Sequence, residues 1–438
     1  MRKNILDILI ISFCILFIIG KSDAQQSVSL TIEQAIAFGL GNSKSLHSSL
    51  MKVEYSDAKS SETRTLLYPS LKIGGSYSRL SEVPPFQIQG KTVSPSVFDN
   101  YNMRLTLQQP LFTGLRLINS SKAASYSAQA SEQDYQKDKT DLIYNVTNTY
   151  WSLFKASEFK KVVDENVEQV KAHIRDVQNF FNQGIVTKNE VLKVEVQLSN
   201  VQVLQIDAKN NVQLAEIGLN SLIGLPLETK VDLTSKAEQT DKQYDNVNTL
   251  VQKAIDNRPD IKSMELRVKA GEAGVSIARA GWFPQIYLIG NYVYARPNQR
   301  IFPTQDKFKD TWDVSVSASF DIWNWGTTIH QTDEARAQLA QTKDGLGLLR
   351  DGITLEVTQS YLNFNQSKER IAVAEKGVSQ AEENYRITDE KFKAGLALNS
   401  DLLDAEAALM QVKFNYIQSL VDFELADARL QKALGQGK

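Results

Sequence analysis

Apolar residues along this chain follow two periods, and the two alternate in a fixed order that is run through twice. Over residues 115–181 neither proline nor internal glycine interrupts a helical pattern. Within it Val163, Val167, Val170, Ile174, Val177 and Phe181 step by alternating fours and threes, the seam of a coiled coil. At about 1.5 Å per residue this predicts roughly 100 Å of helix. The second half answers with Ile371, Ala374, Val378, Ala381 and Tyr385. Gly184 and Gly395 then turn the chain at helix C-termini, where positive φ is favoured. Returning helices are expected over 188–222 and 399–434, the second with Leu409, Val412, Tyr416, Leu420 and Phe423 as its buried stripe. Ordinary helix packing accounts for these stripes, but hairpins of this length predict an extended object.

Ahead of each long helix the period changes to two. Leu71, Ile73, Gly75 and Tyr77 alternate with Lys72, Gly74, Ser76 and Ser78. Met103, Leu105 and Leu107 alternate with Arg104, Thr106 and Gln108. Ile286, Leu288, Gly290 and Tyr292 share a face, and Val314, Val316, Ala318 and Phe320 alternate with Ser315, Ser317 and Ser319. These runs predict strands over about 70–80, 101–112, 285–295 and 312–322, each apolar on one face. Pro69 and Pro284 stop the helices that lead into them, and the segments 81–99 and 296–309 read as exposed loops. Long helices follow over about 114–182 and 327–393. The chain opens with a helix at Ser29-Leu30-Thr31-Ile32, where Thr31 can cap and Gln34 completes a capping box. Asn42 and Asn257-Arg258-Pro259-Asp260 interrupt the two opening helices at matching places, and Pro259 starts a new one.

The repetition extends to individual residues. Phe181-Asn182-Gln183-Gly184-Ile185-Val186-Thr187 with Glu190, Leu192 and Glu195 recurs, 211 positions later, as Phe392-Lys393-Ala394-Gly395-Leu396-Ala397-Leu398 with Asp401, Leu403 and Glu406. The same shift carries Leu222-Ile223-Gly224 onto Ala433-Leu434-Gly435, and Tyr68-Pro69 recurs as Phe283-Pro284. Two copies of this size are too long for solenoid units, so each half, 25–228 and 229–438, is expected to be an equivalent structural module.

The strands pose a problem of edges. Their length, with an apolar band ending in Tyr77, Tyr292 and Tyr294, matches a transmembrane β-barrel strand. Four strands cannot close a barrel, and an open edge in lipid leaves backbone groups unsatisfied. Either the strands lie in water, as a small β-domain on a coiled-coil stalk, or several chains pool them. Taken alone the strands favour water; the duplication, the polar Ser/Gly faces and an N-terminal export signal favour pooling. That signal spans 1–24: Arg2 and Lys3, an apolar run over 8–20, then Ser22-Asp23-Ala24 as a cleavage site.

Composition changes the picture little. The 438 residues carry a net charge of −2, about −3 without the leader, which gives no argument for nucleic-acid binding. Cys14, the only cysteine, leaves with the leader, which suits an oxidising compartment; behind Phe13 it is a poor lipid acceptor. His47, His173 and His330 stand apart, and no glycine-rich phosphate loop precedes a helix, so neither an enzyme nor a bound cofactor is expected. Arg296, Arg300, Lys307 and Lys309 read as a solvated loop.

Across nearly the whole mature chain the pattern resembles the TolC-like outer-membrane efflux proteins. The likeness rests on the doubled helix–strand–strand–helix layout, on Ala254-Ile255-Asp256-Asn257-Arg258-Pro259-Asp260, on Tyr68-Pro69 and Phe283-Pro284, and on the Gly184 and Gly395 turns. The resemblance implies a mainly α fold with a transmembrane β portion: a homotrimer whose twelve-stranded β-barrel is continued by a long periplasmic α-helical barrel. It implies a passive exit duct for efflux or type I secretion in the outer membrane and its lipid. Its partners would be a periplasmic adaptor (membrane fusion) protein and an inner-membrane transporter of RND, ABC or MFS type. The reading from another class is a periplasmic coiled-coil tether or adaptor that forms no channel.

Two sets of residues are candidates for function. Asp401 and Asp404 lie one turn apart after the Gly395 turn. Their own pattern reads as a solvated helix face helped by the helix N-terminus; the resemblance implies an acidic pore constriction. Glu190 holds the equivalent place in the first repeat, where the family often latches the closed tip to a basic residue. That partner falls here on Ala397, so closure would rest on Lys193, Lys188 or packing. The turns themselves, at Gly184, Ile185, Gly395 and Leu396, are the tips at which the family meets its adaptor.

Overall fold

The computed structural model describes residues 28–93, 97–238 and 241–436; the expected leader, with Cys14, lies outside them. In chain order the elements are β1 (Val28–Leu30), α1 (Ile32–Asn42), α2 (Lys44–Thr65), β2 (Ser70–Arg79), β3 (Phe86–Ile88), β4 (Lys91–Val93), β5 (Asp99–Thr113), α3 (Arg116–Asn182) and α4 (Lys188–Ile223). The second half follows with β6 (Val231–Leu233), α5 (Val247–Asn257), α6 (Pro259–Arg279), β7 (Gln285–Arg296), β8 (Lys309–Ser319), α7 (Thr327–Lys393) and α8 (Asn399–Ala433). They form two compact units: one of residues 1–47, 137–258 and 352–438, the other of 48–136 and 259–351. No helix among the described residues is long and apolar enough to cross a membrane.

The second unit holds a four-stranded antiparallel sheet in the order β2-β5-β7-β8. The register aligns Ile73, Leu105, Tyr292 and Trp312 in one row and Leu71, Leu107, Gly290 and Val314 in another, on the same face. Successive side chains point to opposite faces, so Lys72, Thr106, Asn291 and Asp313 form a row on the other side. There the Thr106 hydroxyl donates to Asn291 Oδ1 at 3.0 Å, and Asn291 Nδ2 donates to Asp313 Oδ2 at 3.0 Å. The apolar face is bare: Leu71, Ile73, Trp312, Val314 and Val316 are all exposed.

Two expectations for this unit need correction. The last strand runs Lys309–Ser319, not about 312–322: Ser319 pairs with Gln285, and Pro284, next in line opposite Phe320, has no N–H to offer the ladder. The loop expected over 81–99 contains the hairpin β3–β4, turned by Gln89 and Gly90, both at positive φ.

The first unit is helical. Val167, Val170 and Val177 of α3 are buried against Val191, Val194 and Val201 of α4, with Phe392 of α7 and Leu402 of α8 in the same cluster. Helices α3 and α8, one from each repeat, run antiparallel and meet at Asp141–Lys432 (2.8 Å), Phe159–Phe414 (ring centroids 4.5 Å apart), Glu165–Lys413 (3.2 Å) and His173–Glu406 (3.3 Å). His173 is therefore not isolated, as its sequence context suggested.

Ser29 and Leu30 do not open a helix. They belong to β1, which pairs in parallel with β6 some 200 residues on. The buried Tyr150 hydroxyl secures this clasp, donating to the Leu30 carbonyl (3.0 Å) and accepting from the Ser235 N–H (3.1 Å). The helix begins after Thr31, whose capping box with Gln34 is complete in both directions.

Candidate functional site

Both hairpins turn by the same device. The Ile185 N–H reaches the Phe180 carbonyl and the Gly184 N–H reaches Phe181, each at 2.9 Å. In the second repeat Leu396 reaches Lys391 at 2.8 Å and Gly395 reaches Phe392 at 2.9 Å. This is the Schellman pattern, which satisfies the last helix carbonyls only if the intervening residue takes left-handed φ. Gly184 and Gly395 both stand at φ +72° and have open space around them. The residue after each glycine is apolar and exposed, Ile185 at 62 % and Leu396 at 79 %.

Between the turns lies a cleft of about 710 Å³ lined by Phe180, Ile185, Glu190, Lys193, Gly395 and Leu398, among others. Glu190 is its polar centre. Its carboxylate accepts from Lys193 Nζ at 2.8 Å and from Asn399 Nδ2 at 2.9 Å, so one acid joins the first repeat to the second. Ala397, where the resemblance implies a basic partner, packs against the apolar cluster. Asn399 escaped sequence reading because an amide at the start of a helix looks like an ordinary end residue.

The Glu190 carboxyl is held below its ordinary value of 4.5, first by Lys193 and then by Asn399, against an opposing push from burial. Because the folded value is the lower one, this contact contributes fully above the unfolded value and is lost as pH falls through the folded one. Hydrogen-exchange protection of amides 188–193, corrected for intrinsic rate, should thus hold above the ordinary carboxyl value and decline as pH falls below it. Glu190→Gln should remove that dependence; an unaltered profile would count against the contact.

Asp401 sits differently. Its carboxylate turns back to accept the Leu398 N–H at 3.1 Å, closing the start of α8. Asp404, one turn on, is exposed, and neither aspartate lines the cleft. Equivalent acids in the two repeats therefore do different work: Asp401 caps its own helix, whereas Glu190 ties one repeat to the other.

In the second unit the sheet ends in aromatic rings on both sides. At one end Tyr77 and Tyr101 lie 5.0 Å apart, and Phe308 stacks on Tyr294 at 5.1 Å. At the other, Trp282, Phe283, Trp323 and Trp325 are exposed, with the rings of Trp323 and Trp325 5.7 Å apart. Such rings suit the two water–hydrocarbon boundaries of a membrane, where an amphipathic ring is favoured. Sequence reading found Tyr77 and Tyr294 and missed Tyr101 and the tryptophans; Trp282, beside the strand-entry Phe283-Pro284, carried a signal, while Trp323 and Trp325 lie just past the last period-two run.

The sequence profile of the outer membrane efflux protein family matches residues 38–225 and 250–436. The outer membrane efflux protein BepC of Brucella suis is 21% identical over 412 residues, covering 94% of this chain and 87% of BepC. The alkaline protease secretion protein AprF of Pseudomonas aeruginosa is 23% identical, covering 84% of this chain and 76% of AprF. Among solved structures, the outer membrane protein VceC from Vibrio cholerae superposes with a TM-score of 0.79 at 18% identity, covering 93% of this chain and 96% of VceC.

Proposed function

The chain belongs to the outer membrane efflux protein family, and from that premise we propose that it is the passive exit duct of an export assembly. Three copies would pool their strands into one twelve-stranded barrel in the outer membrane. The observation that carries this reading is the sheet: one face bare and apolar, the other polar and hydrogen-bonded, and the outer edges of β2 and β8 without a partner strand among the described residues. Only closure with further strands satisfies such edges in lipid, and closure leaves the polar rows facing an aqueous lumen. Energy must come from elsewhere, so an inner-membrane transporter of RND, ABC or MFS type would be coupled through a periplasmic adaptor. The exposed Ile185 and Leu396 beside the glycine turns support end-on contact with such an adaptor, as small and apolar tips suit helix packing. BepC is an efflux protein and AprF a protease secretion protein, so cargo class follows from the transporter, not from this fold.

Membrane fractionation and planar-bilayer recording test the duct. The expected result is a heat-resistant trimer in outer-membrane fractions that conducts ions. A soluble chain without conductance would instead make it a periplasmic tether.

We assign the constriction to Asp401 and Asp404, which three copies would present as six carboxylates, and gating of the tip to Glu190 with Lys193. Replacing both aspartates with asparagine should lower cation-over-anion selectivity about threefold or more, because a ring of fixed charge concentrates counter-ions. Unchanged selectivity and unchanged block by multivalent cations would take them out of the pore.

A further inference from the structure

The polar face of the sheet is sorted by charge. Two successive rows cross it: Lys72, Thr106, Asn291 and Asp313 in one, and Gly74, Arg104, Val293 and Thr311 in the next. Lys309, two residues before Thr311, continues the same face. The segment 297–300 folds back over these rows. Asn298, only 3% exposed, donates from Nδ2 to the Lys309 carbonyl at 3.0 Å and to Thr311 Oγ1 at 3.1 Å, and its Oδ1 accepts the Arg300 N–H at 3.0 Å. So placed, the Arg300 guanidinium donates to the Trp312 carbonyl at 3.1 Å and to Asp313 Oδ1 at 3.3 Å. Between segment and sheet lies a cavity of about 280 Å³ lined by Arg104, Arg300 and Asp313 with Ser76, Asn102 and Thr311, among others.

Acid and base do not balance there. Among the described residues of the sheet, this face carries Lys72, Arg104, Lys309 and the overlying Arg300 against one carboxylate, Asp313, which Arg300 and Asn291 already engage. At the end of the other face, charges meet in opposite pairs: Arg79 with Asp99 at 3.2 Å and Arg296 with Asp306 at 2.7 Å. Neither Lys72 nor Arg104 forms an ion pair among the described residues. They are diagonal neighbours on β2 and β5, and such neighbours stand about 7–8 Å apart. That is within the roughly 8–10 Å over which salt leaves charges unscreened. Like charges at this range repel, so solvating a strand face does not call for the arrangement.

We propose that Lys72 and Arg104, with Arg300 held over them, form a belt of positive charge in the lumen of the barrel, and that the belt draws anions bearing carboxylate or phosphate groups into that stretch of the duct. A wall of one sign in a narrow passage concentrates the opposite ion, and lumen-facing side chains of a membrane β-barrel tune its selectivity. The transporter still chooses the cargo; the belt governs how charged molecules pass or lodge on their way out. Its sign is opposite to that of the constriction assigned to Asp401 and Asp404, so substitutions separate the two. This inference rests on the exit-duct reading, because only barrel closure turns this face inward.

The test records the full-length channel in planar bilayers with inorganic tripolyphosphate as the probe. Tripolyphosphate should block the unaltered channel at low ionic strength and progressively less as salt is raised. Lys72→Ser with Arg104→Ser should raise the half-blocking concentration about tenfold or more. Lys72→Arg with Arg104→Lys should leave it unchanged, because the belt requires charge and not a particular side chain. An unaltered channel that tripolyphosphate does not block, or a half-blocking concentration that the serine pair leaves unchanged, would overturn the belt. A loss of block in the charge-preserving swap as large as in the serine pair would overturn it as well. Should the serine pair fail to assemble, Arg104→Gln alone replaces it, with a smaller rise expected and an unchanged value counting against the belt. If the unaltered protein carries no current at all, the duct reading falls instead. The belt is then judged by calorimetry of tripolyphosphate with the purified chain in detergent: binding lost in the serine pair retains the anion site, and binding that persists, or none to begin with, refutes it.

Discussion

Replacing Gly184 or Gly395 with leucine is expected to abolish efflux while leaving normal amounts of trimer in the outer membrane. Both glycines adopt φ +72°, where a side chain costs about 1–2 kcal/mol. Nothing lies within 4 Å of the place where a Cβ would be added, so no packing penalty follows. A local cost of that size is small for a chain whose turns each close a 67-residue helix. What changes is the outer surface. A leucine at each tip projects beside Ile185 or Leu396 into the space that an adaptor's own helical turn would occupy. Drug-susceptibility assays should therefore match those of a deletion strain, while membrane fractions still contain trimer. Resistance at the unaltered level would remove these turns from the docking surface.

The second large effect concerns the bare face of the sheet. Val316→Arg places a charge where the proposed barrel meets hydrocarbon, at a cost of about 2–4 kcal/mol per strand near the bilayer midplane. Three copies incur it together, a penalty comparable to the net stability of a whole domain, about 5–15 kcal/mol. Assembly in the outer membrane should fail, with the chain retained in the periplasm or degraded. Ser315→Arg, one residue earlier on the opposite face, is the control. It should assemble and alter only conductance, since its side chain faces the polar rows. Equal tolerance of both substitutions would put the sheet in water.

The pair of substitutions also shows why so much of this fold was legible in its sequence. Strand faces repeat every two residues, so the alternation put Ile73, Leu105 and Tyr292 on apolar faces; that they and Trp312 stand side by side is set by a register the alternation left open. Helical turns were legible because left-handed φ all but demands glycine. Contacts that depend on distant partners were not. Three residues at 28–30 carry no local sign of pairing with 231–233. His173 reads as a stray histidine until the fold brings Glu406 to it across 233 positions. Asn399 is likewise defined only by Glu190. Asp401 was legible as an acid near a helix start, and the structure adds that it is engaged there by Leu398.

The clasp between β1 and β6 bears on the order in which the molecule can be made. Leu30, Tyr150 and Ser235 all lie in the first 235 residues, and Asn42 reaches the Ile223 carbonyl at 3.3 Å. The first repeat is thus fastened at its beginning by the segment that opens the second, β6 and Ser235, and needs nothing beyond residue 235. A chain delivered N-terminus first can complete that fastening while the rest is still being exported, as domains generally fold as units in order of synthesis. Its strands cannot be finished on the same schedule. β5 pairs with β7, which arrives about 170 residues later, and until then the β2–β5 ribbon waits with an open edge and an apolar face. The earliest part of the protein to become whole also carries the surface most in need of a chaperone.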